Sequence, residues 1–110
     1  MKRTKSYQEN LLENLQDHRE AAAYLNAALT EGDADVFLLA LRNVAEALGG
    51  MAKLARWTGL NRESLYRMMS KKGNPGLTSL NLLLEALGLR LAVEIQSPRL
   101  PRRLTKAHAT

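Results

Sequence analysis

Residues 51–70, M-A-K-L-A-R-W-T-G-L-N-R-E-S-L-Y-R-M-M-S, have the spacing of two short helices joined by a tight turn. Ala55 is small where two helices would cross closely, and Gly59 suits a helix end that needs a positive φ. Asn61 can cap a second helix with its side-chain oxygen, and Leu65 and Met68 fall three apart on the inner face of that helix. The segment therefore predicts a helix-turn-helix.

The predicted second helix leaves a set of long and polar side chains facing outward, namely Arg62, Glu63, Tyr66, Arg67 and Ser70. A small residue and a glycine at a turn are common in helical hairpins, so those two positions alone would be a weak signal. The agreement of core spacing, turn residues and outward polar residues in one frame favours a helix that enters the major groove of DNA.

The rest of the chain predicts one mainly helical domain, because 110 residues allow a single modest core and Leu and Ala supply most of the apolar content. Apolar spacing predicts helices over 7–15, 18–30, 34–48, 51–58, 62–70 and 78–87. Asp17, Asp33 and Thr78 are the expected N-caps, and Gly32 and Gly88 are expected stops. The expected inward faces include Tyr7, Leu29 and Val36.

Residues 89–96 alternate strictly between apolar and polar side chains and predict a single β-strand. One strand cannot satisfy its own backbone groups, so it needs a partner. Self-pairing across a two-fold axis, through Leu89, Leu91, Val93 and Ile95, is preferred over addition of a strand from another protein. Residues 1–6 are expected to be a flexible N-terminus and 97–110 a flexible basic tail, with the domain between them over 7–96.

Composition excludes several classes of protein. The chain has no cysteine, and its two histidines lack ligand-like spacing, so no disulfide or metal site is expected. No signal-like N-terminus and no run of roughly 18 apolar residues is present, which predicts a soluble cytoplasmic protein without a membrane partner. No triad-like or phosphate-loop pattern occurs, so neither catalysis nor a cofactor is expected.

The net charge of +5 is unevenly distributed. Residues 53–72 carry +5 and 97–110 carry +4, whereas 17–35 carry −4. A basic helix-turn-helix fits DNA, because Lys and Arg neutralise phosphates, although a solvated helix surface would have the same charge. Arg62, Glu63, Tyr66 and Arg67 form the expected base-facing set. Lys53, Lys71 and Lys72 are expected at phosphates, with ordinary solvent-facing lysines as the alternative, which is slightly favoured for Lys53 taken alone. Trp57 is expected in the core rather than against the DNA backbone.

Several short motifs resemble the addiction module antidote proteins, which are helix-turn-helix antitoxins of bacterial type II toxin-antitoxin pairs within the lambda-repressor-like and HigA-like group. They are Gly50-Met51, T-G-L-N-R-E-S-L-Y-R at 58–67, G-N-P at 73–75, A-L-G-L-R-L at 86–91 and A-A-A-Y-L-N-A-A-L at 21–29. The resemblance extends from about Tyr7 to Ile95. Asn61 stands where serine is common in the family, and Lys71-Lys72 is more basic than the usual linker.

The resemblance implies a five- to six-helix DNA-binding domain that forms a homodimer, represses its own operon and neutralises a small RelE/ParE-like toxin. By similarity, Asn61 would join Arg62, Glu63, Tyr66 and Arg67 on the DNA-facing side. The alternative is a stand-alone or phage-type repressor without a toxin partner. A protein-interaction module is a further alternative, and it predicts no salt-dependent binding to any duplex.

Overall fold

A computed structural model describes residues 6–96, and within this range the chain forms six α-helices. The helices are α1 (Tyr7–Asn14), α2 (His18–Glu31), α3 (Ala34–Ala47), α4 (Gly50–Thr58), α5 (Arg62–Met68) and α6 (Leu77–Ala86). The prediction of a mainly helical chain is confirmed, and most predicted ends lie within one or two residues of those in the structure.

Side-chain caps account for the starts of the first three helices. Ser6 and Glu9 form a reciprocal capping box at α1, which the sequence interpretation missed. The predicted caps Asp17 and Asp33 are confirmed, since their carboxylates accept hydrogen bonds from the backbone N–H groups two residues later. The predicted Thr78 cap is wrong: the extended backbone of Gly76 lets α6 begin at Leu77.

Helix α3 lies at the centre of the fold and packs against α1, α2 and α4, while α4 also contacts α5 and α6. Burying the apolar stripe of α3 therefore joins the N-terminal helices to the helix-turn-helix. The core consists of fully or nearly fully buried apolar side chains: Leu15, Ala21, Leu25, Ala28, Phe37, Leu38, Ala40, Leu41, Val44, Ala45, Leu54, Leu65, Met69, Leu83, Leu84 and Leu87.

Three residues expected in the core are exposed instead. Tyr7 is 81% exposed, Leu29 51% and Val36 37%, whereas Ala28 and Leu38 take inward positions. Periodicity identifies a broad apolar stripe, but only the part of the stripe that a neighbouring helix covers becomes buried. The prediction for these three residues is therefore wrong.

The predicted strand over 89–96 is absent from the described residues. Helix α6 ends in a Schellman motif, with Gly88 N–H donating to Glu85 and Leu89 N–H donating to Leu84 at 2.8 Å. Leu89 and Leu91 pack against the core, but Val93 and Ile95 are almost fully exposed. A strand requires a neighbour to complete its hydrogen bonds, and the described part of one chain provides none.

The domain boundaries proposed from the sequence fall largely outside the described part of the chain. The predicted flexible N-terminus over 1–6 lies outside it except for Ser6, which caps α1. The predicted basic tail over 97–110 lies outside it entirely.

Candidate nucleic-acid interface

The turn between α4 and α5 is held by a series of local hydrogen bonds. Gly59 has φ +80°, and its N–H donates to the Ala55 carbonyl at 2.9 Å. The Thr58 hydroxyl donates to the Leu54 carbonyl at 2.8 Å and accepts from the Leu60 N–H at 3.1 Å. Since a side chain at this φ would be strained, glycine fits the position that turns the chain. The sequence interpretation identified Gly59 but missed the bridging role of Thr58.

The start of α5 is fixed by Asn61. Its side-chain oxygen accepts a hydrogen bond from the Ser64 N–H at 2.7 Å, which confirms the predicted cap. The oxygen of Asn61 is therefore committed to the helix, whereas its amide nitrogen has no partner among residues 6–96. Asn61 both positions the helix and leaves an N–H donor at the exposed end of it.

Buried residues hold α5 against the rest of the domain. Leu65 and Met69 have no exposed surface, while Met68, expected on the inner face, is only partly buried. The Arg42 guanidinium on α3 donates from Nη1 to the Met69 carbonyl at 2.9 Å. This bond satisfies a carbonyl at the C-terminal end of α5. Helix α5 is therefore held on its inner face and at its C-terminal end, and within residues 6–96 its opposite face is exposed.

The free face of α5 carries the residues that the sequence predicted there. Arg62, Glu63, Tyr66 and Arg67 are all exposed, and half of the Tyr66 surface is accessible. Arg67 makes one long contact, from Nη2 to the Ser64 hydroxyl at 3.4 Å. Their spacing on a single short helix brings these side chains together. They offer guanidinium donors, a carboxylate acceptor and a phenol side by side.

Ser70 differs from these residues because its hydroxyl is already used. It donates to the Arg67 carbonyl at 2.9 Å, and the side chain is half-buried. In this geometry the hydroxyl hydrogen closes the last turn of α5. Ser70 thus lies at the edge of the surface and supports the helix end.

Lys71 and Lys72 are exposed in the turn that follows α5. Their position is fixed by Gly73, whose N–H donates to the Ser70 carbonyl at 2.9 Å. A Cβ at Gly73 would lie about 2.2 Å from the Met68 carbonyl oxygen, so no other residue fits without moving the end of α5. The two lysines consequently extend the basic surface just beyond α5.

Lys53 lies elsewhere. Its Nζ is 4.7 Å from the centre of the Trp57 ring, and both side chains line a hollow with His18 and Glu85. Trp57 is 49% exposed, so the prediction that it lies in the core is wrong. The ammonium group of Lys53 lies over one face of its ring. Lys53 therefore lines a different hollow from the one that Arg62 and Tyr66 of α5 line.

A second hollow, beside α5, is lined by residues of α3 as well as of α5. Arg62 and Tyr66 line it together with Leu39, Arg42 and Met51. Leu39 is 49% exposed although it belongs to α3, the helix that contributes the most buried residues to the core. The sequence interpretation missed Leu39 and Arg42 because a contact between α3 and α5 is non-local. The one sequence signal for this contact was Arg42, a charged residue next to the apolar stripe of α3.

The described residues 6–96 show no cluster of three or more His, Cys, Asp or Glu side chains that could hold a metal ion. Over the same range, no helix combines the length and apolar character needed to cross a membrane. The stretch from 53 to 72 carries six Lys or Arg residues and one acidic residue, of which Arg62, Glu63 and Arg67 lie on α5 and Lys71 and Lys72 follow it.

Comparison with known proteins gives a family match over most of the chain. A family model described as "Probable addiction module antidote protein" matches residues 5–95, a range that contains all six described helices. A protein of Haemophilus influenzae described as uncharacterized is 34% identical over 85 residues, which cover 77% of this chain and 87% of that protein. No solved structure matches the chain significantly.

Proposed function

This chain belongs to the family of probable addiction module antidote proteins, and from this premise we propose that it is an antitoxin that binds DNA through α4 and α5. In this proposal the protein is of the HigA-like, lambda-repressor-like type. It forms a homodimer, represses its own operon and neutralises a RelE/ParE-like toxin. The exposed face of α5, on a helix held to the domain by the fully buried Leu65 and Met69, is the observation that supports DNA binding.

Helix α5 would read base edges in the major groove. Arg62 and Arg67 can each donate two hydrogen bonds to guanine O6 and N7, and Glu63 can accept from cytosine N4. Tyr66 lies between them on the same face and can donate through its hydroxyl. Asn61 would donate its amide N–H at the start of the helix, because its oxygen is held by the cap.

Contacts to phosphate would come mainly from Lys71 and Lys72, which are exposed beyond the end of α5. Such contacts set the register on the duplex without reading sequence. Lys53, which lies over Trp57 in a different hollow, remains the third lysine proposed at a phosphate. Ser70 supports the helix end, since its hydroxyl hydrogen is bound to the Arg67 carbonyl.

The second copy would join through residues 89–96, which carry the exposed Val93 and Ile95. A dimer of this kind places two recognition helices roughly 34 Å apart, one turn of DNA, and therefore reads a palindromic operator. Sedimentation is expected to show a dimer at micromolar concentration that Val93→Pro converts to monomer, because proline removes a donor from the ladder. A wild-type monomer under these conditions would reject strand pairing.

The toxin would contact the acidic surface of the N-terminal half. Its exposed carboxylates are Asp17, Glu20, Glu31, Asp33 and Asp35. Complementary charge steers a basic partner toward such a surface and discriminates against acidic ones. Co-expression with the product of the adjacent gene, followed by capture of either protein, tests this contact. Equal capture by the wild type and by a variant with Asp33 and Asp35 changed to Asn would contradict the assignment of this surface.

DNA binding is best tested by titrating a duplex from upstream of the gene at several salt concentrations. Arg67→Ala should weaken specific binding by about 1–3 kcal/mol and relax specificity at one base pair. Lys71→Ala should weaken binding to all sequences alike and lower the salt slope by about one unit. Arg19→Ala is the matched control, because it removes one exposed positive charge from α2.

The control should change affinity little if the DNA contacts α4, α5 and the lysines that follow, and not α2. An equal loss with Arg19→Ala and Arg67→Ala would show that only overall charge matters and would contradict base readout. Binding that does not depend on salt, or no binding to any duplex, would instead favour a protein-interaction module.

A further inference from the structure

We infer that residues 89–95 pair with the same residues of a second copy in one antiparallel register, in which Ala92 lies opposite Ala92 of the other copy. The inference rests on the homodimer proposed above and adds its register. It therefore identifies which residue of one copy contacts which residue of the other.

The segment is suited to pairing because its backbone is unused. Within residues 6–96, the N–H groups of residues 90–96 donate no hydrogen bond to another backbone group. Val93 and Ile95 are 99% and 97% exposed, which is unusual for two apolar β-branched side chains in sequence proximity. An added strand would satisfy the backbone and cover part of both side chains.

The alternation of the segment limits the possible registers. In an antiparallel pair, residues that lie opposite each other project from the same face of the ribbon. A shift of one position would set the apolar residues Leu89, Leu91, Val93 and Ile95 opposite the polar set, which mixes the two faces. Only registers that keep odd residues opposite odd residues remain.

Charge selects among the remaining registers. With Ala92 opposite Ala92, Arg90 lies opposite Glu94 at both ends of the ribbon, because the sequence L-R-L-A-V-E-I is symmetric in chemistry about its centre. With Val93 opposite Val93, Arg90 would face Gln96 and Glu94 would face Ala92. Opposite charges directly across the strands are favourable, so the register centred on Ala92 is preferred.

The same register also places the exposed apolar residues opposite other apolar residues. Leu89 lies opposite Ile95, and Leu91 lies opposite Val93. Leu89 and Leu91 already pack against the core of their own copy. Val93 and Ile95 of each copy therefore contact Leu91 and Leu89 of the other copy. These contacts cover the exposed apolar side chains of both copies.

Apolar surface lies beside the proposed ribbon as well. Residues 89–92 and 94 line one side of a hollow of about 410 Å³, and α2 contributes Leu25 and the half-exposed Leu29 to it. The hollow adjoins the paired segment, so a second copy placed there would remove additional apolar area from water.

Cysteine crosslinking tests the register directly, because the chain contains no cysteine of its own. Residues directly opposite have Cα atoms about 4.5–5.5 Å apart, within the range for a disulfide, whereas diagonal pairs are about 7–8 Å apart. Under mild oxidation Ala92→Cys should form a covalent dimer and Val93→Cys should not. A mixture of Leu91→Cys and Val93→Cys should form the crosslinked heterodimer.

The outcomes separate the register from the dimer itself. Crosslinking of Val93→Cys without Ala92→Cys would overturn this register and leave strand pairing intact. A dimer in sedimentation that crosslinks at none of these positions would overturn strand pairing while the homodimer stands. A monomer would overturn both, and titration with DNA would still report on α5 separately.

Charge reversal gives an independent test. Arg90→Glu sets Glu opposite Glu94 at both ends of the dimer, and Glu94→Arg sets Arg opposite Arg90. Two such reversals should raise the dimer dissociation constant roughly tenfold or more in low salt. When the two variants are mixed, both pairs become attractive again, so the heterodimer should recover nearly wild-type affinity. Single variants that dimerise as tightly as the wild type would overturn the register.

Discussion

The hydrogen bond from Arg42 to the Met69 carbonyl leads to a prediction that links the core to the exposed face of α5. Arg42→Met keeps a long apolar stem of similar volume but removes the guanidinium that donates at 2.9 Å. Met69 is fully buried, so its carbonyl has poor access to water as a replacement. Hydrogen bonds to charged groups contribute about 1.5–3 kcal/mol, and the unsatisfied acceptor adds to the loss.

We therefore expect Arg42→Met to lower the free energy of unfolding by about 2 kcal/mol, toward the middle of that range because the bond is only part-buried. For a domain of this size, the midpoint of thermal unfolding should fall by roughly 8–16 °C. Urea unfolding followed by circular dichroism at 222 nm measures the free energy. The slope against urea should stay unchanged, because the surface exposed on unfolding is nearly the same.

Arg56→Met is the matched control, because Arg56 is exposed on α4 and its side chain makes no hydrogen bond among residues 6–96. Its effect on stability should lie within about 0.5 kcal/mol of zero. If Arg42→Met unfolds at the same urea concentration as this control, the hydrogen bond from the guanidinium to the Met69 carbonyl contributes nothing measurable to stability. The claim that α3 fixes the end of α5 would then be refuted.

Substitutions at three further positions have expected effects on stability that the same assay measures. Asn61→Ala removes the cap on the Ser64 N–H and should cost about 1 kcal/mol, whereas Asn61→Ser should recover most of it. Gly73→Ala brings a Cβ to within about 2.2 Å of the Met68 carbonyl and should cost about 1–3 kcal/mol; an unchanged stability would show that the end of α5 adjusts freely. Gly76→Ser should instead stabilise by about 0.5–1 kcal/mol, because the site is open, its backbone is extended and the hydroxyl can cap α6. A loss of stability there would contradict the assignment of Gly76 as the N-cap.

What the amino-acid sequence by itself determined is local. Asp17, Asp33 and Asn61 cap helices as predicted, and Gly59 ends α4, because each acts on backbone groups within a few residues. The outward face of α5 also follows from local spacing once Leu65 is known to point inward. These features required no knowledge of the distant parts of the chain.

Only the tertiary structure decided which apolar residues are covered and which side chains share a surface. Leu29 has the spacing of a core residue but lies 51% exposed, and Trp57 was expected in the core but lies 49% exposed with Lys53 over its ring. Arg42 reaches α5 across 27 positions of sequence. Residues 89–96 have the alternation of a strand but form none in a single chain. Burial and strand pairing depend on neighbours that are distant in sequence or belong to a second copy, and a periodic pattern shows only that such a neighbour is needed.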